Sequence, residues 1–252
     1  MAFQYRFFSL AMWMSDMKNS LKSLLRAGSG RSGFLLSLLC LAAMPILPLQ
    51  ALSQDTAAKS SGPDWYQGFE WQAAASGETV EVYSSEVDGS PYVAVKAVTR
   101  INSDVKSVLR AFDSDVAEKN GCSPWRQMCK RSRILSEPSK EVSIRHLILD
   151  MPWPVSDRDM VMKSELQTDA EWRRAIIDGN TVSDELPEQK YVRADSRIRY
   201  EMRRLDSGET ELIYINHTNL NGGVPAGLFN SKVVSSTQEE ILALKQFVES
   251  GE

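Results

Sequence analysis

Pro152-Trp153-Pro154-Val155-Ser156-Asp157-Arg158-Asp159 is the stretch on which the fold turns, and the strand-like run Met160-Val161-Met162 follows it directly. Two prolines fix φ and keep the residues before them extended. Ser156 and Asp157 can bond the backbone of the turn, while Arg158 and Asp159 can hold its exit through charge-assisted bonds. Together they describe a rigid corner leading into a strand. Arg158 and Asp159 are expected to be a structural pair at that corner rather than ligand contacts.

Outward from the corner the chain is mostly strand. Thr79 to Val87 alternates apolar and polar residues, Asp88-Gly89-Ser90 is a hairpin turn, and Tyr92 to Arg100 is its return strand. Further strands are expected over 131–137, 142–151, 159–167, 173–178, 191–202 and 209–216, with turns at Glu137-Pro138-Ser139, Asp178-Gly179-Asn180 and Asp206-Ser207-Gly208. Asn102 or Ser103 can cap a short helix carrying Val105, Val108, Leu109 and Phe112. Residues 65–75 suit a short opening helix. The chain closes with a long helix from Pro225 to about Ser250, whose Val234, Ile241, Leu244 and Val248 make one apolar stripe. A strand-rich sheet needs a cover for its concave face, and one long helix can supply it. Whether the space between them is packed solid or left as an elongated apolar cavity is open on fold grounds alone.

The Pro-Trp-Pro segment resembles the Pro-Trp-Pro-x-Ser-x-Arg-Asp signature of START domains, the lipid-transfer domains related to the steroidogenic acute regulatory protein. Three other stretches share the likeness, in matching order and spacing. They are Trp71 with Val80-Glu81-Val82-Tyr83, the run from Leu186 to Arg193, and Asn221-Gly222-Gly223-Val224-Pro225 with Asn230. The resemblance implies an α+β helix-grip fold: a curved antiparallel sheet around a long C-terminal helix, holding one hydrophobic molecule such as a phospholipid, fatty acid or sterol-like compound. It also implies a gate formed by the last helix, with Phe229, and the loop Thr168 to Trp172, with Asp169. Sterol-binding relatives often place an arginine where Ser164 lies here, so a sterol is the less favoured guest. Arg145 or His146 could supply a polar anchor instead, and Arg145, His146, Tyr200 and Tyr214 are the side chains that could steer proton transfer in the alternative, a helix-grip cyclase or aromatase acting on a polyketide-like substrate.

The remaining features bound the setting. Lys18, Lys22, Arg26 and Arg31 precede an apolar run from Phe34 to Leu49 that ends in small residues, which describes a cleaved Sec-type signal over 1–53. A membrane anchor is the competing reading, and Pro45 and Pro48 weigh against it. Met17 is the more natural start of such a signal. A polar leader follows over 54–63 and the domain occupies 64–252. A periplasmic or secreted monomer is expected. Without residues 1–53 the chain keeps 24 basic and 32 acidic side chains, a net of −8, which argues against nucleic acid and allows only transient membrane contact. Cys122 and Cys129 form an even pair in an exported chain, consistent with a disulfide, or with two buried thiols. No metal-ligand spacing, nucleophile elbow or phosphate-cradling loop appears, so neither a cofactor nor catalysis is expected.

Overall fold

The computed structural model describes residues 65–77, 79–113, 117–182, 184–186 and 190–251. The export segment, the Met17 start, Cys40 and the leader lie outside the described residues. The strands are β1 (Gln72–Ser76), β2 (Val80–Val87), β3 (Ser90–Ile101), β4 (Cys129–Ser136), β5 (Val142–Leu149), β6 (Arg158–Thr168), β7 (Arg174–Thr181), β8 (Val192–Arg193), β9 (Asp195–Arg204) and β10 (Thr210–Asn219). Helix α1 (Val105–Arg110) lies between β3 and β4, and α2 (Ala226–Ser250) ends the domain.

One curved sheet runs in the order β1-β2-β3-β10-β9-β7-β6-β5-β4, antiparallel at every step, and β8 pairs in parallel with β6 outside that order. Helix α2 packs on β1, β2 and β3. Its 25 residues span about 38 Å, and Thr237, Ile241 and Leu244 are its buried positions. Val234 and Val248 pack against the same core, so the expected stripe is the one that docks. Gly251, at φ 73, ends the helix.

Three local expectations are corrected. Residues 65–75 do not form a helix: residues 65–68 are a turn, Gly68 adopts φ 93, and Gln72–Ser76 is drawn into edge pairing with β2. Asp104, not Asn102 or Ser103, caps α1, its carboxylate accepting from Ser107 N at 2.9 Å. Asp178-Gly179-Asn180 is not a turn but the interior of β7, paired with Glu165, Ser164 and Lys163 on one side and with Arg199, Ile198 and Arg197 on the other.

The Pro-Trp-Pro corner, with a cis Trp153–Pro154 bond, works differently from a paired Arg158 and Asp159. Successive strand residues face opposite ways, so the two side chains part. Arg158, 2% exposed, donates Nε to Leu220 O at 2.7 Å and Nη2 to Asn221 O at 3.2 Å, tying the corner to the lead-in of α2. A Cβ on Gly222 would stand 3.0 Å from Val192 and 3.2 Å from this guanidinium, and its φ is 62, so glycine is required there. Asp159, fully buried, accepts from Arg193 and meets His146 Nε2 at 3.0 Å. Burial alone would raise its carboxyl; the bonds from Arg193 and His146 hold it below the usual carboxylate range.

Candidate functional site: a cavity under the terminal helix

The concave side of β5 to β10 is wider than α2 can fill, and a cavity of about 390 Å³ lies between them. The period-two alternation decides its lining. Met160, Met162, Ser164 and Leu166 face it from β6, and Ser196, Ile198 and Tyr200 from β9. Gly179 explains its own misreading: it faces the cavity opposite Ser164, and a Cβ there would come 3.0 Å from Met162 Sδ. A glycine inside a strand weakens the strand but allows close approach, here by Met162. Helix α2 contributes Phe229, Val233, Ser236, Thr237 and Glu240.

One wall is polar and internally bonded. Asn216 Nδ2 donates to the Tyr214 hydroxyl at 2.6 Å, Thr218 Oγ1 to Asn216 Oδ1 at 2.7 Å, and the Thr218 and Ser196 hydroxyls meet at 2.8 Å. The opposite wall, with Leu147, Leu149, Met160 and Met162, is apolar. Burial pushes the Tyr200 and Tyr214 phenols well above their ordinary range. It also raises the Glu240 carboxyl, against the opposing charge of Arg126.

Arg126 reaches this cluster from the loop between α1 and β4. Cys122 and Cys129 are bonded across that loop. Arg126 N donates to Ser123 O at 3.0 Å, and Cys129 N donates to Arg126 O at 3.1 Å. Trp125 is buried, with Nε1 on Ala111 O at 2.9 Å, and the Arg126 guanidinium lies 4.5 Å from its ring centre. Gly121 lets the loop press on β4: at φ 78, its Cβ would fall 1.9 Å from Ser132 O. Asp113, Glu137, Ser139, Lys140 and Glu141 line the same end of the cavity and are exposed, which marks the mouth.

The START domain profile matches residues 54–250. The chain belongs to the START domain family. A curated relative, an uncharacterised protein of Pseudomonas aeruginosa, is 30% identical over 184 residues, which is 71% of this chain and 87% of the relative. Among solved structures, a STAR-related lipid transfer protein from Xanthomonas axonopodis matches with a TM-score of 0.62 at 23% identity, over 71% of this chain and 98% of that one. Human StAR-related lipid transfer protein 5 matches with a TM-score of 0.63 at 16% identity, over 71% and 86%. At these identities the two structures establish the helix-grip fold.

Within this START domain the expected site residues divide. Arg145, Ser164, Tyr200, Tyr214 and Phe229 line the cavity. His146 does not: Arg145, Leu147 and Leu149 take the inward face of β5, which leaves His146 on the other face against Asp159. Phe229 and the loop from Thr168 to Trp172 have different neighbours. Phe229 stacks on Tyr92 at 5.2 Å, near the start of α2. Thr168 and Asp169 lie where β6 runs out, and Trp172 lies over Lys106 of α1 at 5.0 Å. Glu249, near the end of α2, bonds Asn102 N beside α1. The twenty residues from Phe229 to Glu249 put about 30 Å of helix between the two regions. Arg126, Asn216, Thr218 and Ser196 escaped the sequence reading. The alternation of β10 through Leu212 and Tyr214 signalled the inward Asn216 and Thr218, and a tryptophan and an arginine bracketed by two cysteines signalled Arg126.

Proposed function

We propose that this START domain binds one hydrophobic molecule in the cavity under α2 and carries it without chemical change, as an exported monomer of the periplasm or the extracellular space. The observation that carries the reading is the cavity of about 390 Å³, which falls within the range of small-molecule sites. Family membership and the lipid-transfer names of the structural relatives support a lipid as guest. The guest enters at the exposed end between Asp113 and the β4–β5 turn, where the lining meets solvent. Transfer by carriage, rather than cyclase chemistry, agrees with the side chains present: both cavity phenols are pushed away from a neutral-pH proton donor, and His146 is engaged by Asp159 outside the lining.

Native mass spectrometry of protein purified from its own host tests this. A lipid-mass adduct that exchanges with added lipid is the expected result. Protein that carries no adduct and takes up nothing from a panel of phospholipids, fatty acids and sterols would overturn it.

A further inference from the structure

Two guanidinium groups converge at the mouth of the cavity. Arg126 comes from the disulfide-closed loop and Arg145 from β5, and both line the same space. The Arg126 guanidinium lies over the rings of Trp125 and Phe112, at 4.5 and 5.9 Å from their centres. The Arg126 backbone is held by the bonds of the loop and by the cysteines on either side, and its guanidinium hydrogen-bonds the Tyr200 hydroxyl. Among the described residues, no carboxylate forms an ion pair with either arginine. The two lie close enough that the charge of Arg126, after burial, lowers the affinity of Arg145 for its proton, while Glu137 and Asp113 at the rim act the other way. Like charges held together at the edge of an apolar space call for a shared counter-charge.

Five other charged groups face this end. Asp113, Glu137, Glu141 and Lys140 are exposed, so water screens them at the rim. Glu240 approaches from α2, where burial disfavours its charged form. Behind the arginines the lining turns apolar through Leu147, Leu149 and Met160. An arginine fork suits a carboxylate or phosphate bidentately, and an apolar tunnel suits one hydrocarbon chain.

We propose that Arg126 and Arg145 form an anion site at the cavity mouth, and that the guest is a single-chain amphiphile whose carboxylate or phosphate monoester head sits between them. The inference rests on the cavity binding a hydrophobic molecule and adds the chemistry of its head. The disulfide then acts in recognition, because it holds Arg126 in place.

The test compares dodecyl phosphate, dodecanoate, dodecanol and dodecyltrimethylammonium, all with the same chain, by displacement of an apolar fluorescent probe from the full-length mature protein. Inorganic phosphate is tested alone. The two anionic amphiphiles are expected to bind about tenfold or more tighter than dodecanol, because hydrogen bonds to charged groups are the stronger class. The cation is expected to bind least. In Arg126→Met and Arg145→Gln the ratio of dodecyl phosphate to dodecanol affinity should fall towards parity, and a ratio is insensitive to a general loss of binding. The wild-type comparison needs no variant to fold. Equal affinity for dodecanol and dodecyl phosphate, preference for the cation, or an unchanged ratio in both variants would overturn the anion site. Inorganic phosphate competing as well as dodecyl phosphate would overturn the amphiphile. If none of the four chains binds, dodecanol included, the cavity reading itself falls and takes this inference with it. Preference of dodecyl phosphate over dodecanoate, or the reverse, assigns the head as phosphate or carboxylate.

Discussion

Lengthening the hydrocarbon chain of a bound fatty acid one methylene at a time should reveal the capacity of the cavity. The space measures about 390 Å³. At about 30 Å³ for each water-sized group it takes roughly 13 such groups. Each methylene withdrawn from water contributes about 0.8 kcal/mol, close to a fourfold gain in affinity. A filled chain therefore gains roughly 10 kcal/mol gross, set against an association cost of about 4–15 kcal/mol. The dissociation constant should fall steadily from octanoate to about tridecanoate and then level, because later methylenes remain in water. Replacing Ser164 by leucine adds about two non-hydrogen atoms to the cavity lining beside Met162 and Gly179. The break should then come about two carbons earlier, with affinity for the shortest acids little changed. Titration calorimetry or probe displacement across the series reads both the slope and the break. A slope that continues unbroken to octadecanoate, or the same break in Ser164→Leu, would show that the chain does not occupy this space.

Asp159→Asn removes the negative charge that Arg193 and His146 share in the buried face of β6, and should cost about 3–5 kcal/mol in denaturant unfolding. Because the folded-state pKa of Asp159 is depressed, its contribution is present above the ordinary value of 3.8 and is lost as pH falls through the lower folded value. The variant should lack that part of the acid transition; an unchanged acid profile counts against the pair. Glu240→Gln acts in the opposite sense: the folded-state pKa is raised, so wild type loses stability as pH rises through it. The variant should melt higher at neutral pH and converge with wild type below 4.5; a variant that melts lower at neutral pH contradicts the assignment. Gly121→Ala must force a Cβ against Ser132 O and hold φ 78, and should cost at least about 2 kcal/mol. Gly89→Ala, at φ 75 with nothing within 4 Å of the added carbon, should cost only about 1 kcal/mol; equal losses in thermal unfolding would remove the role given to the disulfide loop. Asn230→Ala removes the clamp of α2 on Val93 N and Pro91 O and should speed lipid exchange measured by fluorescence quenching, if the start of the helix moves during loading; unchanged exchange locates the movement elsewhere.

Local chemistry made much of this fold legible. The stripe of Val234, Ile241, Leu244 and Val248 needs only helical spacing to be read, and the hairpin at Asp88-Gly89-Ser90 needs only its turn residues. The failures arose where one local signal has two physical causes. Asp178-Gly179-Asn180 has the composition of a turn, yet each residue serves the interior of a strand. Asp178 accepts from Arg199 at 2.8 Å, and Gly179 makes way for the Met162 side chain. Nothing within three residues separates these cases, because the deciding neighbours, Ser164 and Arg199, are distant in sequence.

The polar anchor shows the same limit at finer scale. Arg145 and His146 are adjacent on β5, so pleating must send them to opposite faces. Either could have faced inward, because Ile144 and Ile148 make the outer face as apolar as Leu147 and Leu149 make the inner one. That outer face is buried around Asp159, where Arg193 binds both Asp159 and Leu186 O. A strand covered on both sides carries no amphipathic signal of direction. What resolves it is electrostatic: Asp159, fully buried, needs Arg193 and gains from His146, and once His146 is committed outward Arg145 has only the cavity to face. The choice of which residue could greet a ligand was thus made by a carboxylate that never touches it.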